Sequence, residues 1–331
     1  MTEAEAIAAV TGYWHWYGMA TFLRCPFKPD LSDTDIGLVG VPYSGGNSIE
    51  RMQYLGPRAV RNRSAAYRRS HREFRLNPFE LARVSDLGDA PMPHVLHPDL
   101  AAQDFEEYFV RVFQADITPI AVGGDHSITW PILRAARKSR FSDRPLGMIH
   151  FDSHTDAAPA GFGTRHHAAG FRIGCEDGLI DPKRTVQVGI RGHMASLEMD
   201  DWSRENFARV ITTGEVAAEG VGATVQDIRA IVGDGPTYLS FDLDAIDPAF
   251  APGVADPEIN GLTIREVVGL LQGFRGLNLM GADIVCYVPP LDNPCQLTAL
   301  TISSMLLEMV TLVADYRSSQ RPALQLSRPA R

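Results

Sequence analysis

The chain has 331 residues, 45% hydrophobic and 21% charged, with a formal net charge of −9. That profile belongs to a globular protein with a sizeable core and excludes the disordered and fibrous classes. The negative balance also argues against a nucleic-acid partner, because phosphate backbones are bound by clustered Lys and Arg.

Glu3 and Glu5 stand where a secretory signal would be basic, and no apolar run reads as long enough to span a bilayer, so no membrane association is expected. Residues 13–27 hold Tyr13, Trp14, Trp16, Tyr17, Phe22 and Phe27 without a clean period. They read as an arm, about residues 1–34, packed on the body or on a neighbouring subunit, with a pocket lid as the other reading. Short apolar runs at 36–43, 117–122, 146–152, 185–190, 210–213, 237–244 and 279–288 predict buried strands. Between them, the patterns at 100–113, 128–138, 225–232, 264–274 and 297–316 predict helices. Residues 58–75 space their basic side chains as a solvated helix face or a subunit contact would. Strands alternating with helices need crossover connections, so the expected fold is a three-layer α/β/α domain with a mainly parallel sheet of about eight strands. No linker or repeat divides it, and one domain over 1–331 is expected. Cys25, Cys175, Cys286 and Cys295 are scattered without a metal spacing, which fits a reducing, cytoplasmic compartment.

Three of the expected strands end in residues of metal-ligand type. The first passes through Gly123-Gly124 into Asp125-His126-Ser127, the second into His150-Phe151-Asp152-Ser153-His154-Thr155-Asp156, and the third into Asp242-Leu243-Asp244. The two glycines read as backbone freedom for a tight turn that brings His126 close. In extended chain alternate side chains share a face, so Asp152, His154 and Asp156 project together, as do Asp242 and Asp244. Parallel strands share a carboxyl edge, where open α/β sheets bind ligands. Four carboxylates gathered there repel unless cations lie among them. With two histidines the set is too large for one tetrahedral zinc and suits two divalent ions. Oxygen-rich ligation favours Mn²⁺, with Ni²⁺ the main alternative.

These three segments, the last extended through Ala245-Ile246-Asp247-Pro248, resemble the signatures of the ureohydrolase family, which includes arginase, agmatinase and the guanidinoalkanoate hydrolases. Gly40-Val41-Pro42 and Gly56-Pro57-Arg58 look like the family's opening, and the resemblance runs from there to the final helix. It implies an arginase-type fold and two metals held by His126, Asp152, His154, Asp156, Asp242 and Asp244. The implied reaction is hydrolysis of a C–N bond of a guanidino compound to urea, or a urea derivative, and an amine. Asp156 would accept a hydrogen bond from the nucleophile. His167, opening the stretch His167-Ala168-Ala169-Gly170-Phe171-Arg172, resembles in placement the histidine that protonates the leaving amine, with His166 as the fallback. A homo-oligomer, trimer or hexamer, is also implied, and association with a homologous subunit is a further option.

The sequence departs from that pattern where Cys286 stands in Ile284-Val285-Cys286-Tyr287, at the position where the resemblance implies the glutamate that most relatives use to grip the guanidinium. Ala168 and Ala169 likewise replace small polar residues. A small guanidine, an N-alkyl guanidine, a biguanide or a guanidino acid is therefore expected in place of arginine, and Glu50 is a candidate for the missing charge. As a nucleophile Cys286 is disfavoured, since no histidine motif flanks it. Agmatinase proper, a single-zinc deacetylase of the same general fold and a noncatalytic subunit supporting a homologue are the competing readings.

Overall fold

The computed structural model describes residues 16–47, 52–66, 69–159, 166–194 and 196–320. Glu50 and the beginning of the aromatic arm lie outside them. Eight strands form one parallel sheet: β1 Ile36–Val41, β2 Val84–Asp89, β3 Thr118–Gly123, β4 Leu146–Phe151, β5 Ile180–Ile190, β6 Arg209–Thr212, β7 Thr237–Asp242 and β8 Leu279–Val285. Their order across the sheet is β2-β1-β3-β8-β7-β4-β5-β6.

The apolar runs produce seven of these strands because strands covered on both faces can be hydrophobic at every position. Alternate residues feed separate cores. Leu38, Ile120, Ile149, Leu239 and Ile284 pack with the helices Gly56–Ser64, Val221–Val232, Ile264–Gly273 and Leu297–Gln320. Val39, Ala121, Met148, Tyr238 and Val285 pack with Pro98–Gln114, Thr129–Lys138 and Gly170–Glu176. The three expected layers are thus present. Helix starts are marked chemically. Thr263 accepts from the Glu266 N–H while the Glu266 carboxylate accepts from Thr263, and Thr212 and Glu215 repeat the arrangement before Thr213–Glu219.

β2 was not expected from the sequence. It carries Ser85, Asp86 and Asp89, and Asp86 is fully buried because Arg61 donates to both its oxygens at 2.8 and 3.0 Å. In the basic stretch at 58–75, Arg58, Arg69, Arg72 and Arg75 are exposed as expected, whereas Arg61 is largely covered. In the arm, Phe22 is buried while Trp16 and Tyr17 are exposed.

One expectation is corrected. Leu297–Gln320 includes an 18-residue window of mean hydropathy 1.8, long and apolar enough by length and composition to cross a membrane. Most of that window is buried, because the helix runs between Gly56–Ser64, Ile264–Gly273 and the sheet. Its all-round apolarity is that of a core helix.

Candidate metal centre

Strand register builds a polar floor beneath the carboxyl edge. Ala121, Asp283, Ser240, His150 and Gln187 are paired in one row across β3, β8, β7, β4 and β5. Ser240 donates to Asp283 at 2.8 Å, and Thr129 and Tyr238 donate to the other Asp283 oxygen at 2.8 and 3.0 Å. Gln187 and His150 meet at 3.0 Å, and the His150 ring stacks on Phe171 at 3.7 Å. Every member but Ala121 is polar and yet fully buried, so the row is held by its own hydrogen bonds.

Asp152 and Asp242 lie two residues beyond His150 and Ser240, on the same face, as strand alternation requires. Alternation fails beyond them. β4 ends at Phe151, and the chain from Asp152 leaves the extended form, reaching φ 47° at Asp156. β7 ends at Asp242, and Leu243–Ala245 is a 3₁₀ turn. The aspartates fold these turns themselves. Asp152 accepts from the His154 N–H at 2.7 Å, Asp242 from the Asp244 N–H at 3.0 Å, and Asp244 from the Ser153 N–H at 2.8 Å. The two segments are thereby stitched together, and the candidate ligands converge through turns.

His126 arrives from the end of β3, in a 3₁₀ turn capped by the Asp125 side chain. Asp125 also accepts from the N–H groups of Gly46 and Asn47 at 2.8 and 3.0 Å. Gly124 acts through space rather than through backbone freedom: a Cβ there would stand 2.4 Å from the Tyr43 carbonyl oxygen and 2.7 Å from that of Val41.

His126 Nε2 is 2.8 Å from the Ser240 hydroxyl, and Nδ1 faces Asp152, Asp156 and Asp242 oxygens at 3.1, 3.0 and 3.2 Å. That nitrogen is buried without a hydrogen bond, which fits a ring aimed at a cation among the three carboxylates. A second convergence joins Asp152, His154 and Asp244, with His154 Nδ1 at 3.4 and 3.0 Å from the two carboxylates. Burial, and then Asp244 and Asp152, push Asp242 up to about 8; burial and Asp152 push Asp156 up to about 6. Carboxylates so crowded keep protons unless cations lie among them, so the donor set fits two divalent ions.

Ser240 is a residue that sequence reasoning passed over, as is His150, which the motif contained without a role. His150 Nε2 lies 2.8 Å from Asp152, and burial holds the ring down to about 4, neutral at physiological pH. Neither carries a spacing signal, since each is marked by register alone. Ser240→Ala strips His126 Nε2 of its partner. Metal affinity in chelator competition is expected to fall about 10–100-fold with the fold intact, as for other changes behind a ligand. Unchanged affinity would remove Ser240 from the centre.

The remaining candidates surround the cluster. His166 caps the turn His167–Ala169, its Nδ1 accepting from the Ala168 N–H at 3.2 Å. That turn packs on the His126 turn, and the His167 N–H donates to the Gly46 carbonyl at 3.1 Å. Burial, then the His166 and His126 rings, push His167 down to about 4. Cys286 is buried at φ 70°, and its sulfur, a His126 nitrogen and an Asp242 oxygen lie within 4.8 Å of one another. Burial and Asp242 hold its thiol far above the usual range, so it is neutral. All four cysteines are free.

Residues 34–311 match the arginase family. Guanidinopropionase of Pseudomonas aeruginosa is 44% identical over 300 residues, covering 90% of this chain and 92% of its own length. Guanidinobutyrase of the same organism is 35% identical over 300 residues, with 89% and 92% covered. The solved structure of proclavaminate amidino hydrolase from Streptomyces clavuligerus gives a TM-score of 0.85 at 33% identity, covering 92% of this chain and 99% of that one.

Proposed function

The chain belongs to the arginase family, and from that premise we propose that it hydrolyses a C–N bond of a small guanidino compound, releasing urea or a urea derivative and an amine. The observation that carries this reading is the convergence of His126 and His154 with four buried aspartates at one sheet edge. Two divalent ions bound there would supply Lewis acidity and a water of lowered pKa, with Mn²⁺ favoured by the oxygen-rich donors and Ni²⁺ the alternative. A single-zinc deacetylase needs fewer carboxylates than these four.

In this reading Asp156 accepts a hydrogen bond from the attacking water and fixes its direction. Attack forms a C–O bond at the guanidinium carbon, and collapse breaks a C–N bond whose nitrogen must leave protonated. His167, neutral at pH 7, is suited to take the proton released by the water and deliver it to that nitrogen. Cys286 supplies no charge, which disfavours a pocket built on a buried glutamate at that position. The relatives named for guanidinopropionate and guanidinobutyrate support a guanidino acid as the first substrate to try.

The test is urea release by metal-loaded protein over a panel of guanidino acids, N-alkyl guanidines, biguanides, agmatine and arginine. Turnover is expected for at least one small guanidino compound, lost on chelation and regained with Mn²⁺ or Ni²⁺. If no compound of the panel is cleaved with either metal, the reading falls.

A further inference from the structure

Resting on that reading, we propose that Asp256 is the carboxylate that receives the cationic guanidinium of the substrate. The cluster's own aspartates are directed inward at one another and at the histidines. Asp125 and Asp283 are fully buried, and each is taken up by several donors. Asp256 differs from all of these. Its side chain is 47% exposed, and one oxygen stands 3.6 Å from His154 Nε2, the ring nitrogen left over when Nδ1 meets Asp152 and Asp244. At that distance, beyond hydrogen-bond range, its lone pairs remain available to a ligand. His154 is its only ion-pair partner among the described residues.

The loop holds this carboxylate in place from both sides. On one side, Val254 bridges to Tyr287, and the Val288 N–H donates to the Gly253 carbonyl at 2.8 Å, fixing the loop to the chain just past Cys286. On the other, Arg191 donates to the carbonyls of Glu258 and Ile259 at 2.6 and 3.0 Å and to that of Asp244 at 2.7 Å. Its remaining donors go to Gly189 and Ala245 carbonyls, so this guanidinium ties the loop to the ligand turn without neutralising Asp256. A carboxylate anchored at the rim meets a planar cation with little ordering cost and can accept its paired N–H groups.

The experiment compares wild type, Asp256→Asn and Asp256→Glu for metal content and for kcat and KM on whichever guanidino compound the wild type cleaves. The isosteric amide keeps the shape and removes the charge. KM is expected to rise about ten-fold or more, with kcat within about three-fold and metal content unchanged, because a lost ground-state ion pair weakens binding without touching the chemical step. Asp256→Glu should recover part of the affinity. Unchanged KM overturns the inference. So does a joint fall of kcat and metal content at constant KM, which would make Asp256 a residue that positions His154. Absence of urea release by the wild type overturns the functional reading, and this inference with it.

Discussion

Asp152→Ala is expected to lower kcat/KM by more than about 10³-fold and to reduce the bound metal below two ions per chain, beyond the roughly 10–100-fold losses typical of groups behind the ligands. The reason is its position. Asp152 is the carboxylate common to both convergences, the one around His126 and the one around His154. One of its oxygens lies 3.1 Å from His126 Nδ1 and 2.8 Å from His150 Nε2, and the other 3.4 Å from His154 Nδ1. Among the described residues it is the side chain shared by the His126 and His154 groups, so its removal opens both at once and leaves His150 Nε2 without its partner. Metal analysis and a urea assay on the same preparation check the result. If the variant keeps full activity, alone or assembled with a homologous chain, Asp152 does not bridge the centre, and a supporting role for this subunit becomes the better account.

How much of this was legible in the sequence depends on which physical signal each part carries. Strands buried on both faces announce themselves as apolar runs, and seven of the eight were visible for that reason. β2 was hidden because a buried carboxylate interrupts its apolar pattern: Asp86 is held in the core by Arg61, 25 residues away, and by the Phe22 and Gly88 N–H groups, and the distant partners leave no local pattern. The converse holds at the last helix, where a window of mean hydropathy 1.8 would suit a membrane span by composition alone and is shielded from solvent by tertiary packing. The residues that converge at the sheet edge were legible as residue types at strand ends. Their geometry was not, because alternation holds only through Asp152 and Asp242, and side-chain-to-backbone hydrogen bonds take over beyond those positions. The polar floor was illegible in principle. Ser240, His150 and Asp283 become one layer only when register aligns three strands that are distant in sequence. Asp256 was missed for a related reason, since it sits on a loop whose approach to His154 is set by Arg191 and by the chain after β8.

His167→Ala is expected to reduce kcat by about 10²–10⁴-fold, the range typical of a positioned proton donor, while KM and metal content change little. The ring does not belong to either metal-type convergence, so its loss leaves the ligands in place. It stands in a turn braced by the His167 N–H bond to Gly46 and by the His166 cap, which hold the imidazole close to His126 without burying it fully. Burial and the neighbouring rings hold it down to about 4. At pH 7 it is therefore neutral, and it must gain its proton within the catalytic cycle. The leaving-group dependence follows from that requirement. An amine of low basicity departs with little help, whereas a strongly basic one needs the proton delivered as the C–N bond breaks. Across a series of N-substituted guanidines, the ratio of wild-type to variant kcat should grow with the pKa of the released amine. A merely structural role for His167 would lower all members of the series by a common factor, and that flat profile would move the proton-transfer assignment to His166 or to another group.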